Sequence, residues 1–305
     1  MSVLVDPFAP GVARVPVAIV NAYLLGDPAA VRGGAPWALV DTGVPGLGAS
    51  VVPRAIEERF GEDVRPAAIV LTHGHFDHAG SALALAEDWG VPIYAHPLEL
   101  PYLTGRSDFA PGDPSMGGAI AQLSRTFPSS GYDFGARVHA LPEDGTVPGA
   151  AGWTWLHTPG HTNGHVSLWR EADRVLIAGD AVATMDMDSW AAQATKARCV
   201  SRSPVPFTPD WPAAVESARR LAALRPDVLA AGHGLPIVED AARRLATYAD
   251  YPNVPTYGRY AGTPARADET GIVWLPPPVP DRAAVPLTLG VGAAAAALTA
   301  LARRT

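Results

Sequence analysis

Three histidines and one aspartate fall within six residues, His73-x-His75-x-Asp77-His78, immediately after the short apolar run 67–71. That run is too short for a buried helix and reads as a strand interior to a sheet. In extended chain, residues two apart point the same way, so His73 and His75 can grip one ion. Asp77 and His78 lie past a turn, at the start of the next helix (79–89), and can reach a second ion beside it. Neutral imidazoles and carboxylates are ordinary ligands of zinc and related metals. With one cysteine, Cys199, in 305 residues, a thiolate cluster and a disulfide framework are both excluded, so any metal must be held by nitrogen and oxygen.

Three more such groups stand among small residues just after apolar runs: His161 in Pro-Gly-His-Thr, Asp180 in Ala-Gly-Asp, and His233 in Gly-His-Gly. Strands are read at 15–25, 37–40, 67–71, 91–95, 153–157, 165–169, 174–178 and 228–231. Helices are read at 50–60, 79–89, 116–127 and 238–248, with another beginning at Thr208-Pro209-Asp210. Each polar cluster therefore follows a strand, where a sheet presents its chemistry. The remaining polar histidines divide: His165 is read as a support of the site through hydrogen bonds, and His96, His139 and His157 as structural. Cys199, near Lys196 and Arg198, reads as a spare thiol.

The ordered set His-x-His-x-Asp-His, Gly-His-Thr, Gly-Asp and Gly-His resembles the metallo-β-lactamase-fold hydrolases, over roughly residues 15–246. The resemblance implies an α+β chain folded as a four-layer αβ/βα sandwich with the metals at one edge. It implies one cation on His73, His75 and His161, a second on Asp77, His78 and His233, and Asp180 bridging them. Zinc is the expected metal, with iron or manganese as alternatives. Asp41, in Val-Asp-Thr-Gly, matches the family residue that orients a ligand histidine. Asp77 would also accept a hydrogen bond from the metal-bridging hydroxide and so act in catalysis.

Hydrolysis of an ester, thioester or lactone is the expected reaction. Asp180 argues against the antibiotic-cleaving members, and the Pro-rich stretch after residue 251 lacks the basic, aromatic helices of glyoxalase-II members. The alternative is a single iron on His73, His161 and Asp180 in a persulfide dioxygenase-like enzyme. With 23 Lys and Arg against 30 Asp and Glu, a net charge of −7 argues against a nucleic-acid partner and for a small-molecule substrate.

Two regions are divided by composition. Residues 1–250 are expected to be the catalytic domain, interrupted at about 97–135 by an aromatic insert, and 251–305 a Pro-rich extension ending in an Ala-rich helix. Tyr102, Phe109, Phe134 and, further on, Trp190 are the expected pocket wall. Residues 283–302 are uncharged between Arg282 and Arg303; a helix docked on the domain, or on a second copy in a homo-oligomer, is favoured over a membrane contact because Ala and Gly insert poorly. The start of the chain shows no basic and then apolar signal pattern, so a cytoplasmic location is expected.

Overall fold

Wholly apolar three-residue runs can be covered on both faces, and such runs form the middle of both main sheets. The computed structural model describes residues 4–281. The 283–302 run lies outside the described residues, and among those that are described no helix is long and apolar enough to cross a membrane. Strands β1 (Asp6–Ala9), β2 (Val12–Val17), β3 (Val20–Leu25), β4 (Ala38–Val40), β5 (Ala68–Val70), β6 (Ile93–Ala95) and β7 (Val138–Ala140) form one sheet in chain order. It is antiparallel up to β4 and parallel from there on. β8 (Thr154–His157), β9 (Val166–Arg170) and β10 (Val175–Ile177) precede a small ribbon of β11 (Val182–Ala183) and β12 (Ser201–Arg202). They join β13 (Val228–Ala230) in a second sheet ordered β13-β10-β9-β8. β14 (Arg266–Asp268) and β15 (Gly271–Trp274) make a separate hairpin.

The alternation of side chains along each strand sorts the core into layers. On β3, Tyr23 and Leu25 pack toward the second sheet, with Val40, Val70, Val166, Leu168, Ile177 and Ala230. Ala22 and Leu24 point the other way, onto Val52, Ile56 and Phe60 of the Leu47–Phe60 helix and Leu85 of the Ala82–Trp89 helix. Leu176 and Leu229 of the second sheet pack outward on Ala218, Leu221 and Leu245 of the Trp211–Ala223 and Ala241–Asp250 helices. The result is the expected helix–sheet–sheet–helix sandwich. The Trp211–Ala223 helix begins where its sequence signal placed it, with Asp210 Oδ1 accepting from Ala213 N at 3.0 Å.

Several expected elements differ. The single strand over 15–25 is two strands, β2 and β3, folded back at Ala18-Ile19, where Ala18 takes φ 58°. No Gly, Asn or Asp marks that turn, so the apolar run reads as continuous. The helix over 116–127 is broken: Gly117 and Gly118 have φ 75° and 89°, and only Ala119–Leu123 is α-helical. A Cβ at Gly118 would lie 2.8 Å from that of Asp188, so the break seats the insert on the Asp188 loop. The helix expected over 238–248 starts at Ala241, after Asp240.

β3 also fastens the His233 loop to the first sheet. Asn21 Nδ2 donates to the carbonyls of Ala231 (2.9 Å) and Gly234 (2.7 Å), Asn21 N donates to Gly232 O (2.8 Å), and Tyr23 Oη donates to Ala231 O (2.6 Å). Asn21→Ala leaves buried carbonyls short of a donor and should lower stability by about 1–3 kcal/mol, read from urea denaturation of metal-free protein. A midpoint equal to wild type would show that this fastening contributes nothing to stability.

Candidate metal centre

The polar residues expected to cooperate all follow the C-terminal ends of strands: Asp41 after β4, His73 to His78 after β5, His161 after β8, Asp180 after β10 and His233 after β13. They converge. His73, His75 and His161 form one group whose ligand atoms lie within 4.8 Å of one another, and Asp77, His78 and His233 form a second. His75 Nδ1 is 3.1 Å from His73 Nε2 and 2.9 Å from His161 Nε2. Asp180 stands between the groups, its Oδ2 at 3.4 Å from His161 Nε2, 3.5 Å from His78 Nε2 and 3.3 Å from His233 Nε2. Asp77 Oδ2 is 3.5 Å from His233 Nε2.

The outer hydrogen bonds assign the tautomers. His78 Nδ1 donates to Asp41 Oδ2 at 2.8 Å, and His233 Nδ1 to Ile19 O at 2.8 Å. Thr72 Oγ1 donates to Asp41 Oδ2, which leaves it to accept from His73 Nδ1 at 3.1 Å. Thr208 Oγ1 donates to Pro204 O and accepts from His161 Nδ1 at 3.2 Å. Four rings thus send their N–H outward and turn a bare Nε2 lone pair to the centre, while His75 presents Nδ1. Asp41 orients a ligand histidine, as expected, and also holds the backbone N–H of Thr72 at 2.8 Å. His165 accepts from Asp180 N at 2.8 Å and bonds Thr158, so it supports the Asp180 loop. The turn at Ala18-Ile19, unreadable in the sequence, is what brings the Ile19 carbonyl to His233.

A divalent cation fits this donor set. His78 Nε2 and Asp180 Oδ1 are buried polar atoms with no hydrogen-bond partner. The backbone is shaped to let them approach: a Cβ on Gly232 would lie 2.0 Å from Asp180 Oδ1 and 2.6 Å from His78 Cε1. Burial, followed by the charge of neighbouring histidines, holds His73 and His161 well below the usual imidazole range and His75 at about 3. Burial would lower His78 and His233 too, but the carboxylates around them, Asp180 foremost, outweigh it and raise both. Burial would likewise raise the Asp180 carboxyl; His233 and His78 overcome it and hold it well below the carboxylate range.

The structure divides the four aromatics expected at the pocket. Tyr102 and Phe109 line a cavity that opens from His75 and His161, stacked on each other with centroids 4.5 Å apart. Phe134 instead belongs to the core under the first sheet, 3% exposed, because its neighbours Leu103 and Tyr132 are drawn there. Trp190 starts a short surface helix, is 61% exposed, and lines neither cavity at the centre. Phe207, passed over in the sequence, packs against His75 with centroids 5.8 Å apart, as Phe109 does at 5.0 Å. His96 and His157 stack on each other at 4.2 Å apart from the cage, and His139 packs on Tyr94. Burial raises the Cys199 thiol pKa, which leaves it unactivated.

Glu99 was also invisible in the sequence, where it sits among ordinary loop residues. It is wholly buried and joins two ligand-bearing loops: Oε2 accepts from Gly74 N at 2.9 Å, and Oε1 from Thr162 Oγ1 at 2.5 Å and Gly164 N at 3.1 Å. Burial pushes its carboxyl up to about 7 against the pull of these three donors.

Comparison with known proteins agrees with this centre. The family model described as the metallo-beta-lactamase superfamily matches residues 15–233. The Bacillus subtilis (strain 168) protein named "Probable metallo-hydrolase YflN" is 43% identical over 230 residues, which cover 75% of this chain and 86% of that one. Among solved structures, a beta-lactamase domain protein from Burkholderia ambifaria is 25% identical with a TM-score of 0.53, over 81% of this chain and 76% of that chain. The BLEG-1 B3 metallo-beta-lactamase, at 22% identity and a TM-score of 0.52 over 82% and 97%, shares the fold.

Removing the Glu99 clamp should loosen the cage without touching a ligand. Glu99→Ala strands three donors in a dry interior, which should cost at least about 2 kcal/mol of stability and about 10- to 100-fold in metal affinity. Competition against a chromophoric chelator reads the affinity; wild-type affinity in a destabilised variant would reduce Glu99 to a packing role.

Proposed function

We propose that this chain, which belongs to the metallo-beta-lactamase superfamily and is similar to a protein named "Probable metallo-hydrolase YflN", is a metallo-hydrolase that uses a dinuclear centre to hydrolyse an ester, thioester or lactone. The observation that carries the dinuclear part is the pairing of two complete triads across one carboxylate, with Asp180 Oδ2 within 3.3–3.5 Å of histidines from both. His73, His75 and His161 would hold one cation and Asp77, His78 and His233 the other. Zinc is the metal proposed, since neutral imidazoles and carboxylates in such groups suit it. Bound there, two divalent cations supply Lewis acidity at the scissile carbonyl and a water acidic enough to attack near neutral pH.

The chain's own groups do the positioning. Asp77, lining the slot beside Asp180 and His233, accepts a hydrogen bond from the attacking water and takes its proton. The water oxygen joins the acyl carbon, the bond to the leaving oxygen or sulfur breaks, and that atom departs with the proton Asp77 held. Phe109 and Phe207, both packed against His75, keep bulk water away from the reacting atoms. An apolar surround of this kind supports an acyl substrate over a polyanionic one.

A panel of aryl esters, thioesters, lactones and an aryl phosphodiester, with oxygen uptake on glutathione persulfide run in parallel, tests the reading. Turnover is expected on the acyl compounds, with Asp180→Ala reducing kcat/KM at least about 100-fold because it disturbs both halves of the cage. Oxygen uptake with no acyl hydrolysis, or Asp180→Ala within a few-fold of wild type at equal metal content, would sink it.

A further inference from the structure

Two spaces meet at His75 and His161, and they differ greatly in size. The slot against Asp77, Asp180 and His233 is lined by Ile120, Phe127, Met187 and Phe207 and measures about 20 Å³, room for about one water molecule. The other measures about 440 Å³, within the range of small-molecule sites. Any substrate group larger than a methyl or two must therefore lie in the second space. One wall of it is the insert, with Tyr102, Phe109 and Ala110. Another part of the wall comes from beyond residue 251: Pro264, Ala265, Ala267 and Ile272, with Arg266 among them, its guanidinium stacked 5.0 Å over the Trp274 ring, on and beside the β14–β15 hairpin.

That hairpin is fixed in place. Ala265 N donates to Pro209 O at 2.9 Å, Ile272 N to Ser107 Oγ at 3.2 Å, and Asn163 Nδ2 to Asp268 O at 3.3 Å, so it is tied to the insert and to the His161 loop at once. Tyr260, 1% exposed, packs beside Trp211 and donates to Pro111 O at 2.7 Å. At Gly271, with φ 108°, a Cβ would lie 2.3 Å from Ser107 Oγ, so the turn of the hairpin lies directly on the insert. The stretch that composition sets apart as a Pro-rich extension is part of the site.

We propose that the β14–β15 hairpin is the specificity wall of this enzyme, and that the substrate is an ester or thioester whose acyl group is bulky and apolar, seated between Ile272 and Phe109. The proposal rests on the hydrolase reading above. Acyl compounds with a long alkyl or aryl-alkyl arm fill this space with apolar contacts, whereas an acetyl group leaves most of it unfilled.

The test uses the metal-loaded full chain. Ile272→Trp fills the cavity, and Ala265→Leu does so more gently should the first variant fold poorly. Turnover is measured on para-nitrophenyl esters of phenylbutyrate and acetate, and binding of phenylbutyrate itself by calorimetry. The phenylbutyryl-to-acetyl ratio of kcat/KM should fall about 10- to 200-fold, and the dissociation constant of phenylbutyrate should rise at least about tenfold. Unchanged phenylbutyrate binding, or both esters falling in proportion, overturns the hairpin's role. Phenylbutyrate binding that responds to the variants in a protein that hydrolyses no ester would uphold the cavity and overturn the hydrolase reading.

Discussion

Bare imidazole lone pairs and carboxylate oxygens gathered within a few ångströms in a dry interior are costly unless a cation shares them. The Asp180 carboxylate is where that constraint is sharpest. It faces three histidine Nε2 atoms at 3.3–3.5 Å and carries an oxygen with no hydrogen-bond partner. Most of the nearby structure can be understood as holding this arrangement against its own tendency to relax. Asp41, Thr72, Thr208 and the Ile19 carbonyl fix the rings from outside. His165 holds the Asp180 backbone, Glu99 ties the His73 and His161 loops together, and Gly232 leaves room for contact. Preorganisation by such outer contacts is what lets a metal site keep its geometry.

The ligands could be read in the sequence because each follows a short apolar strand and because His-x-His places two rings on one side of extended chain. Asp41, at the end of β4, was legible only through the match of Val-Asp-Thr-Gly to the family. What could not be read depends on contacts distant in sequence. Glu99 looks like any loop acid until Gly74 and Gly164 close on it, 25 and 65 residues away. The β2–β3 turn is made by Ala18 at φ 58° without a turn-favouring residue, so two strands look like one. Phe134 and Tyr102 are both aromatics of one insert; only tertiary packing sends the first to the core and the second to the cavity.

The tail shows the same limit on a larger scale. Proline and glycine mark residues 251–281 as irregular, which misses the β14–β15 hairpin and is silent about their position. Their hydrogen bonds to Pro111, Ser107 and Pro209 carry them across the mouth of the centre. The His/Asp centre is thus assembled from loops of both sheets, and the insert and the tail bound the cavity that opens beside it.

Metal stoichiometry tests the central claim most directly. Metal-free chain titrated with zinc, then freed of excess and measured by elemental analysis, should saturate at two cations per chain, one for each triad. Saturation at one, with Asp77, His78 and His233 still able to bind no second cation at high zinc, would contradict the dinuclear account.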